Sequence, residues 1–266
     1  MNDASNPGQP VLLFAEQCDR GRQREENQDS ILHSSIALGE LMIVADGIGG
    51  YKGGLTASRM VIDGFDGYLK TLPQSYPPGL AIREAAAQTN SSIVAAANAP
   101  DSLHRHMGST VVLALVQQSA LGTQAWIGHI GDSRAYLVRD GRISRITHDH
   151  SAVQVLLDRN LITPEEAFHH PDASVLTRSL GHRAEVDIDV KQVSLQAGDS
   201  LLLCSDGLWG YVPGEAIEAV AIAPDFTVEA AAKALLELAL DAGGHDNIGI
   251  ELARLSSPAG ATVLDM

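Results

Sequence analysis

Hydrophobic positions change their period several times along the chain, and each change marks a new element. Val11–Gln17, Asp29–Ser35 and the continuous apolar run Leu41–Ala45 read as strands. Leu55–Leu69 and the alanine-rich Ala81–Ala97 place apolar residues at helical spacing, with a proline-bearing turn at Pro73–Pro78 between them. Sheet resumes at Thr110–Val116, Thr123–His129 and Arg134–Val138, where Asp140-Gly141 signals a hairpin. Between Ser151 and Leu180 the pattern turns helical, and Thr163-Pro164-Glu165-Glu166 supplies an N-cap, a first-turn proline and two acids. The last quarter reads as strand Ser200–Cys204, helices Pro213–Val220 and Val228–Leu240, and strand Ile248–Leu255. Groups of antiparallel strands interleaved with helix pairs predict an α+β chain of two packed sheets with helices outside.

Composition narrows this without changing it. The 266 residues are 45% hydrophobic, with 25 Gly and 11 Pro, and no apolar stretch approaches the roughly 20 residues of a membrane span. We expect one domain over residues 11–256, with flexible segments at 1–10 and 257–266. Lacking the basic and apolar regions of a secretory signal in the first ten residues, the chain is expected in the cytoplasm, as a monomer. Eighteen Lys and Arg against 33 Asp and Glu give a formal charge of −15, which argues against nucleic acid as a partner. Cys18 and Cys204 have no metal-type spacing and are read as reduced and structural.

The candidate chemistry lies in four aspartates beside glycines. Asp46 ends LMIVAD, Asp132 ends IGHIGD, Asp206 ends LLLCSD, and Asp246 in GGHDN precedes the apolar IGIEL. One Asp-Gly turn carries little information, but several strand ends presenting carboxylates can converge on hard divalent cations. Oxygen-only ligation favours Mg²⁺ or Mn²⁺ over zinc. His148-Asp149-His150 is the competing ligand set. The segment Gly49, Gly50, Gly53 and Gly54 lacks the spacing of a nucleotide-binding loop and reads as tight packing around Asp46.

DRGRQREENQDS (19–30), VADGIGGYKGGLTAS (44–58), MGSTVV (107–112), GHIGDSRAYLVRDGRISRITHDHS (128–151), LTRSLG (176–181), CSDGLWGYV (204–212) and GGHDNIGI (243–250) together resemble the ordered motifs of the metal-dependent protein phosphatases. These are the type 2C serine/threonine phosphatases, and the likeness is greatest to compact bacterial members. The resemblance covers about residues 11–255 in family order. It implies a four-layer α-β-β-α sandwich: two antiparallel sheets flanked by helix pairs, with a metal cluster in a cleft at one end.

Matching motif to motif, the resemblance gives Asp46 as the bridge between two ions, Gly47 as a backbone carbonyl ligand, and Asp206 and Asp246 as ligands of the second ion. Asp132 with Asp206 matches a weaker third site. Arg24 matches the arginine that contacts substrate phosphate; the residues alone leave Arg20 and Arg22 equally open, and the motif register selects Arg24. Residues 151–180 match a variable flap, and His148-Asp149-His150 falls where the family supports the turn into the next helix. Two positions depart from the pattern. Ile48 stands where many eukaryotic relatives have a histidine thought to protonate the leaving group, so no such acid is assigned. Gln28 stands where a carboxylate is usual, leaving Asp29 as the nearby acid behind the ligands.

The implied activity is hydrolysis of phosphoserine and phosphothreonine by direct attack of a water shared by two cations, Mn²⁺ or Mg²⁺, in opposition to a serine/threonine kinase. A small-molecule phosphomonoesterase with the same metals is the alternative enzyme. A phosphoprotein-binding pseudophosphatase is the non-enzymatic one.

Overall fold

The computed structural model describes residues 10–49, 53–99, 102, 105–223 and 226–256. The segments expected to be flexible, 1–10 and 257–266, lie outside these except for Pro10, as does Gly50 of the glycine-rich segment.

Two antiparallel sheets face each other. One runs β1 (Leu12–Asp19), β11 (Ile248–Leu255), β10 (Ser200–Cys204), β7 (Arg134–Arg139), β8 (Arg142–Arg145). The other runs β2 (Asp29–Ile36), β3 (Gly39–Ile48), β5 (Val111–Ser119), β6 (Gly122–Ile130), β9 (Asp189–Leu195), and the two-residue β4 (Gly108–Ser109) pairs with the end of β3. Strand alternation then sorts the core. Met42, Val44, Val112, Ala114, Leu203 and Ala253 meet between the sheets. Ile43, Ala45, Leu113 and Leu115 point the other way, onto α1 (Gly53–Leu69) and α2 (Pro78–Ala97). On the opposite flank Leu202, Ile250 and Leu252 pack against α6 (Gly214–Ala221) and α7 (Val228–Asp241). The result is a four-layer α-β-β-α sandwich. Central strands buried on both sides explain the uninterrupted apolar run at Leu41–Ala45.

Most expected elements are present with shifted ends. Asp140 and Gly141, both at positive φ (52° and 68°), make the tight turn between β7 and β8. Thr163 and Glu166 form a reciprocal capping box at the start of α4 (Pro164–Phe168). The 151–180 region also contains α3 (Ala152–Asp158), capped by Ser151.

Four elements were not expected, among them the two-residue β4. β8 and β9 are edge strands, so charged and polar residues such as Arg142, Arg145, Lys191 and Gln192 interrupt the apolar signal that interior strands carry. The single turn α5 (Asp206–Trp209) is too short to show a helical period.

Candidate metal and phosphate site

At one end of the sandwich, strand ends from both sheets deliver carboxylates to a common cavity of about 790 Å³. Asp46 and Gly47 come from β3, Asp132 from the β6–β7 turn, Asp206 from the start of α5 after β10, and Asp246 from the loop entering β11. Arg24 and Gln28, from the loop between β1 and β2, line the same space. Asp29 does not; it lies behind the cavity, buried and opposite Asp46 in the β2–β3 register.

The backbone around Asp46 is fixed from two directions. Its N–H donates to Thr110 Oγ1 (3.0 Å), while its carbonyl accepts from the Thr110 N–H and the Ser109 hydroxyl, both at 2.9 Å. Gly47 must lack a side chain: a Cβ there would stand 2.1 Å from the Gly54 carbonyl oxygen. This close approach of β3 to the first turn of α1 accounts for Gly54. Gly207 is equally constrained, since a Cβ would lie 1.9 Å from the Asn247 carbonyl oxygen. The Asp206 turn and the Asp246 loop are thereby held against each other.

Burial and like charge set the electrostatics. Asp29 and Asp206 are pushed up to about 7, chiefly by burial. For Asp206 the next cause is Asp246, opposed by Arg24 and Arg134. For Asp29 the burial outweighs a 2.6 Å hydrogen bond from the Ser205 hydroxyl. Asp46 and Asp132 are driven well above the ordinary carboxylate range by burial and then by neighbouring aspartates. So many acids in one place lack compensating positive charge.

Arg24 supplies part of it through a 2.6 Å ion pair with Asp246, at a guanidinium about half exposed. Burial lowers its pKa, but Asp246 more than reverses that and raises it overall. No group of three or more His, Cys, Asp or Glu among the described residues forms a ready-made ligand cluster. Arg24 occupies one oxygen of Asp246. The donor chemistry nonetheless suits a hard cation: withdrawn carboxylates beside a backbone carbonyl, all oxygen.

The competing trio is spent elsewhere. His148 bonds Asp158, Asp149 takes Arg134 and Arg145, and His150 accepts the Gly131 N–H and bonds Asp189. These contacts fasten the turn after β8 to the Asp132 turn.

Sequence reasoning missed Asn247. Its amide donates to the carbonyls of Arg20 (2.8 Å) and Glu26 (3.0 Å), and its Oδ1 accepts the Gln28 N–H (2.8 Å). Asn247 thus ties the loop carrying Arg24 and Gln28 to the loop carrying Asp246. Arg22 and Gln23 add N–H bonds to the Gly244 carbonyl. Ser205, which reaches Asp29, and Ser109 with Thr110, which hold Asp46, were also missed. The polar residue after GGHD was the available signal, but nothing local says what an asparagine will bond.

Residues 20–231 match the protein phosphatase 2C family. The serine/threonine protein phosphatase PstP of Mycobacterium tuberculosis is 39% identical over 246 residues, which span 91% of this chain and 45% of PstP. This chain therefore covers about half the length of that relative. Protein phosphatase PhpP of Streptococcus pneumoniae is 34% identical over 249 residues, 90% of this chain and 95% of PhpP. Among solved structures, the PstP catalytic domain in complex with two manganese ions superposes with a TM-score of 0.81 at 36% identity, covering 93% of this chain and all of that one. No helix among the described residues is long and apolar enough to cross a membrane. With the family's motifs in order, its four-layer fold, and the strand-end aspartates lining one cavity, this chain belongs to the protein phosphatase 2C family.

Proposed function

We propose that the chain is a protein serine/threonine phosphatase that removes phosphate from phosphoserine and phosphothreonine, opposing a serine/threonine kinase. The observation that carries this is the meeting of carboxylates from both sheets in one cavity with a guanidinium beside them. On this reading residues 11–256 form one catalytic domain and 151–180 its flap, from which Ser174 and Leu176 reach the cavity wall.

Asp46, the Gly47 carbonyl, Asp206 and Asp246 would hold two Mn²⁺ or Mg²⁺ ions, and Asp132 with Asp206 a third. When bound, such ions supply positive charge and acidify the water that displaces the leaving oxygen in line at phosphorus. The chain's own residues do the rest. Ser109 and Thr110 fix the Asp46 backbone, while Asn247 ties the loop carrying Arg24 to the loop carrying Asp246. Arg24 uses one Nη for Asp246, leaving other N–H groups to neutralise the equatorial phosphate oxygens. Gln28 and Asp29 shape the surroundings of Asp46, and Ser205 keeps the Asp29 carboxyl in place.

Phosphate release from a phosphothreonine peptide, with Mn²⁺ and with chelator, tests the reading alongside a panel of phosphorylated metabolites. Mn²⁺-dependent turnover of the peptide, abolished by Asp46→Ala and Asp206→Ala, is expected. Equal turnover under chelation would refute it, and a clear preference for metabolites would move the chain to the small-molecule class.

A further inference from the structure

The cavity contains a hydroxyl and an imidazole that the reading above does not use. Ser179 Oγ lies 2.5 Å from His182 Nδ1, and both side chains line the cavity shared by Asp46, Asp206 and Asp246. His182 Nε2 is 3.2 Å from the His106 carbonyl oxygen. A carbonyl only accepts, so Nε2 carries a proton; Nδ1 then accepts from Ser179 in the neutral ring and donates to it in the imidazolium.

This pair is anchored to the acidic site. Between its two members, Leu180 exchanges backbone hydrogen bonds with Ser109: Leu180 N–H to the Ser109 carbonyl at 2.9 Å, and Ser109 N–H to the Leu180 carbonyl at 3.1 Å. The Ser109 hydroxyl in turn donates to the Asp46 carbonyl. Gly181, at φ +90°, makes the bend that returns His182 toward Ser179, and its N–H donates to Asn90 Oδ1 (2.8 Å). The Asn90 amide also donates to the carbonyls of Arg183 and Ala184 just beyond. The imidazole rests over Gly108, where a Cβ would come within 2.7 Å of its Cε1, and Gly108 pairs with Ile48 in the β3–β4 register. Ser179 is buried at 8% exposure while His182 opens to solvent. The hydroxyl is therefore sheltered in the wall of the cavity that the aspartates line, and the ring faces water.

Resting on the phosphatase reading, we infer that Ser179, backed by His182, protonates the oxygen that leaves when the phosphoester bond breaks. As water attacks phosphorus and the P–O bond to the substrate side chain breaks, the electron pair goes to the departing alkoxide oxygen. The Ser179 proton passes to that oxygen, and the Nδ1 proton of the imidazolium passes to Ser179 Oγ. The proton lost by the attacking water returns to His182 through solvent, so the products are the free hydroxyl side chain and inorganic phosphate. Ser179 is the group that touches substrate; His182 is a positioning residue that recharges it, oriented by the His106 carbonyl.

Leaving-group dependence separates this from a structural role. An alkoxide leaving from phosphoserine needs a proton, whereas 4-nitrophenolate is stable without one. With the full chain and Mn²⁺, Ser179→Ala and His182→Gln should each lower kcat on a phosphoserine peptide about 100-fold, the lower end for loss of a general acid. Turnover of 4-nitrophenyl phosphate should change less than about threefold, which also shows that the variants are folded. Across a series of aryl phosphates kcat should depend more steeply on leaving-group pKa in both variants. Equal losses on both substrates, or undiminished peptide turnover, would overturn the inference. A wild-type chain that hydrolyses neither substrate would instead bring down the phosphatase reading and this step with it.

Discussion

Asp46, Asp132 and Asp206 of the cavity and Glu251 of β11 all have pKa values raised chiefly by burial, and the chain treats them differently. Asp46, Asp132 and Asp206 stand at strand ends, face one another across an opening, and have a guanidinium within the group. Glu251 sits in mid-strand between β1 and β10, fully buried on the inter-sheet side, opposite Glu16 and Leu203. Neither of its carboxyl oxygens has a hydrogen-bond partner among the described residues. Burial, with a smaller push from Glu16, raises its pKa to about 9. An acid at a strand end can be neutralised from outside by a cation, while one in mid-strand has only a proton to take up. Location in the sheet thus separates a site from a liability.

Neutralising the cavity acids one at a time should have the largest effect. Asp46→Asn or Asp206→Asn should lower peptide dephosphorylation on the order of 1,000-fold or more, the loss of several kcal/mol of transition-state charge stabilisation. The same variants should melt no lower than wild type in chelator, because each removes a repelling charge. A marked fall in Tm there would break the comparison by showing that these acids hold the fold together.

Glu251→Leu should raise stability by about 1–3 kcal/mol at pH 8, measured by urea unfolding, and leave kcat unchanged. A destabilised variant would mean that the carboxyl has a structural use that Asp46 and Asp206 lack.

The pH dependence sharpens the contrast further. All these groups have folded pKa values above their unfolded ones, so the native state binds the extra protons and stability falls as pH rises. Without cations, the contribution of Asp29 and Asp206 should be full below pH 4 and lost as pH passes about 7, and that of Glu251 lost as it passes about 9. Mn²⁺ should restore the loss near pH 7 but not the one near pH 9. Thermal melts from pH 5 to 9, with Mn²⁺ and with chelator, read both; identical profiles would erase the distinction.

Arg24→Ala should give the smallest change, raising KM for an aryl phosphate about tenfold, the worth of one charge-assisted hydrogen bond. An unchanged KM would leave Arg24 only its pairing with Asp246.

Asp46 was legible because an apolar run ending in Asp-Gly is both a buried strand and a presented carboxylate. Asp132 and Asp206 were legible for the same reason, and the order of motifs then singled out Arg24. β9 was not, because an edge strand turns half its residues outward and loses the apolar pattern. Asn247, Ser205 and Thr110 were illegible in another way: a polar side chain states what it can bond, never which backbone will arrive. Ser179 and His182 lie three residues apart, yet their place in the cavity depends on Ser109 meeting Leu180.

By itself the sequence determined the alternation of strands and helices, the glycines at the tight turns and the acids at strand ends, because burial period and turn geometry are short-range properties. Tertiary structure decided which strand ends share a cavity, that Arg24 meets Asp246 across 222 positions, and that Glu251 is sealed inside while Asp206 is open. The physical reason is that hydrogen bonds and charges act over a few ångströms, and only the packing of the two sheets brings distant residues within that reach.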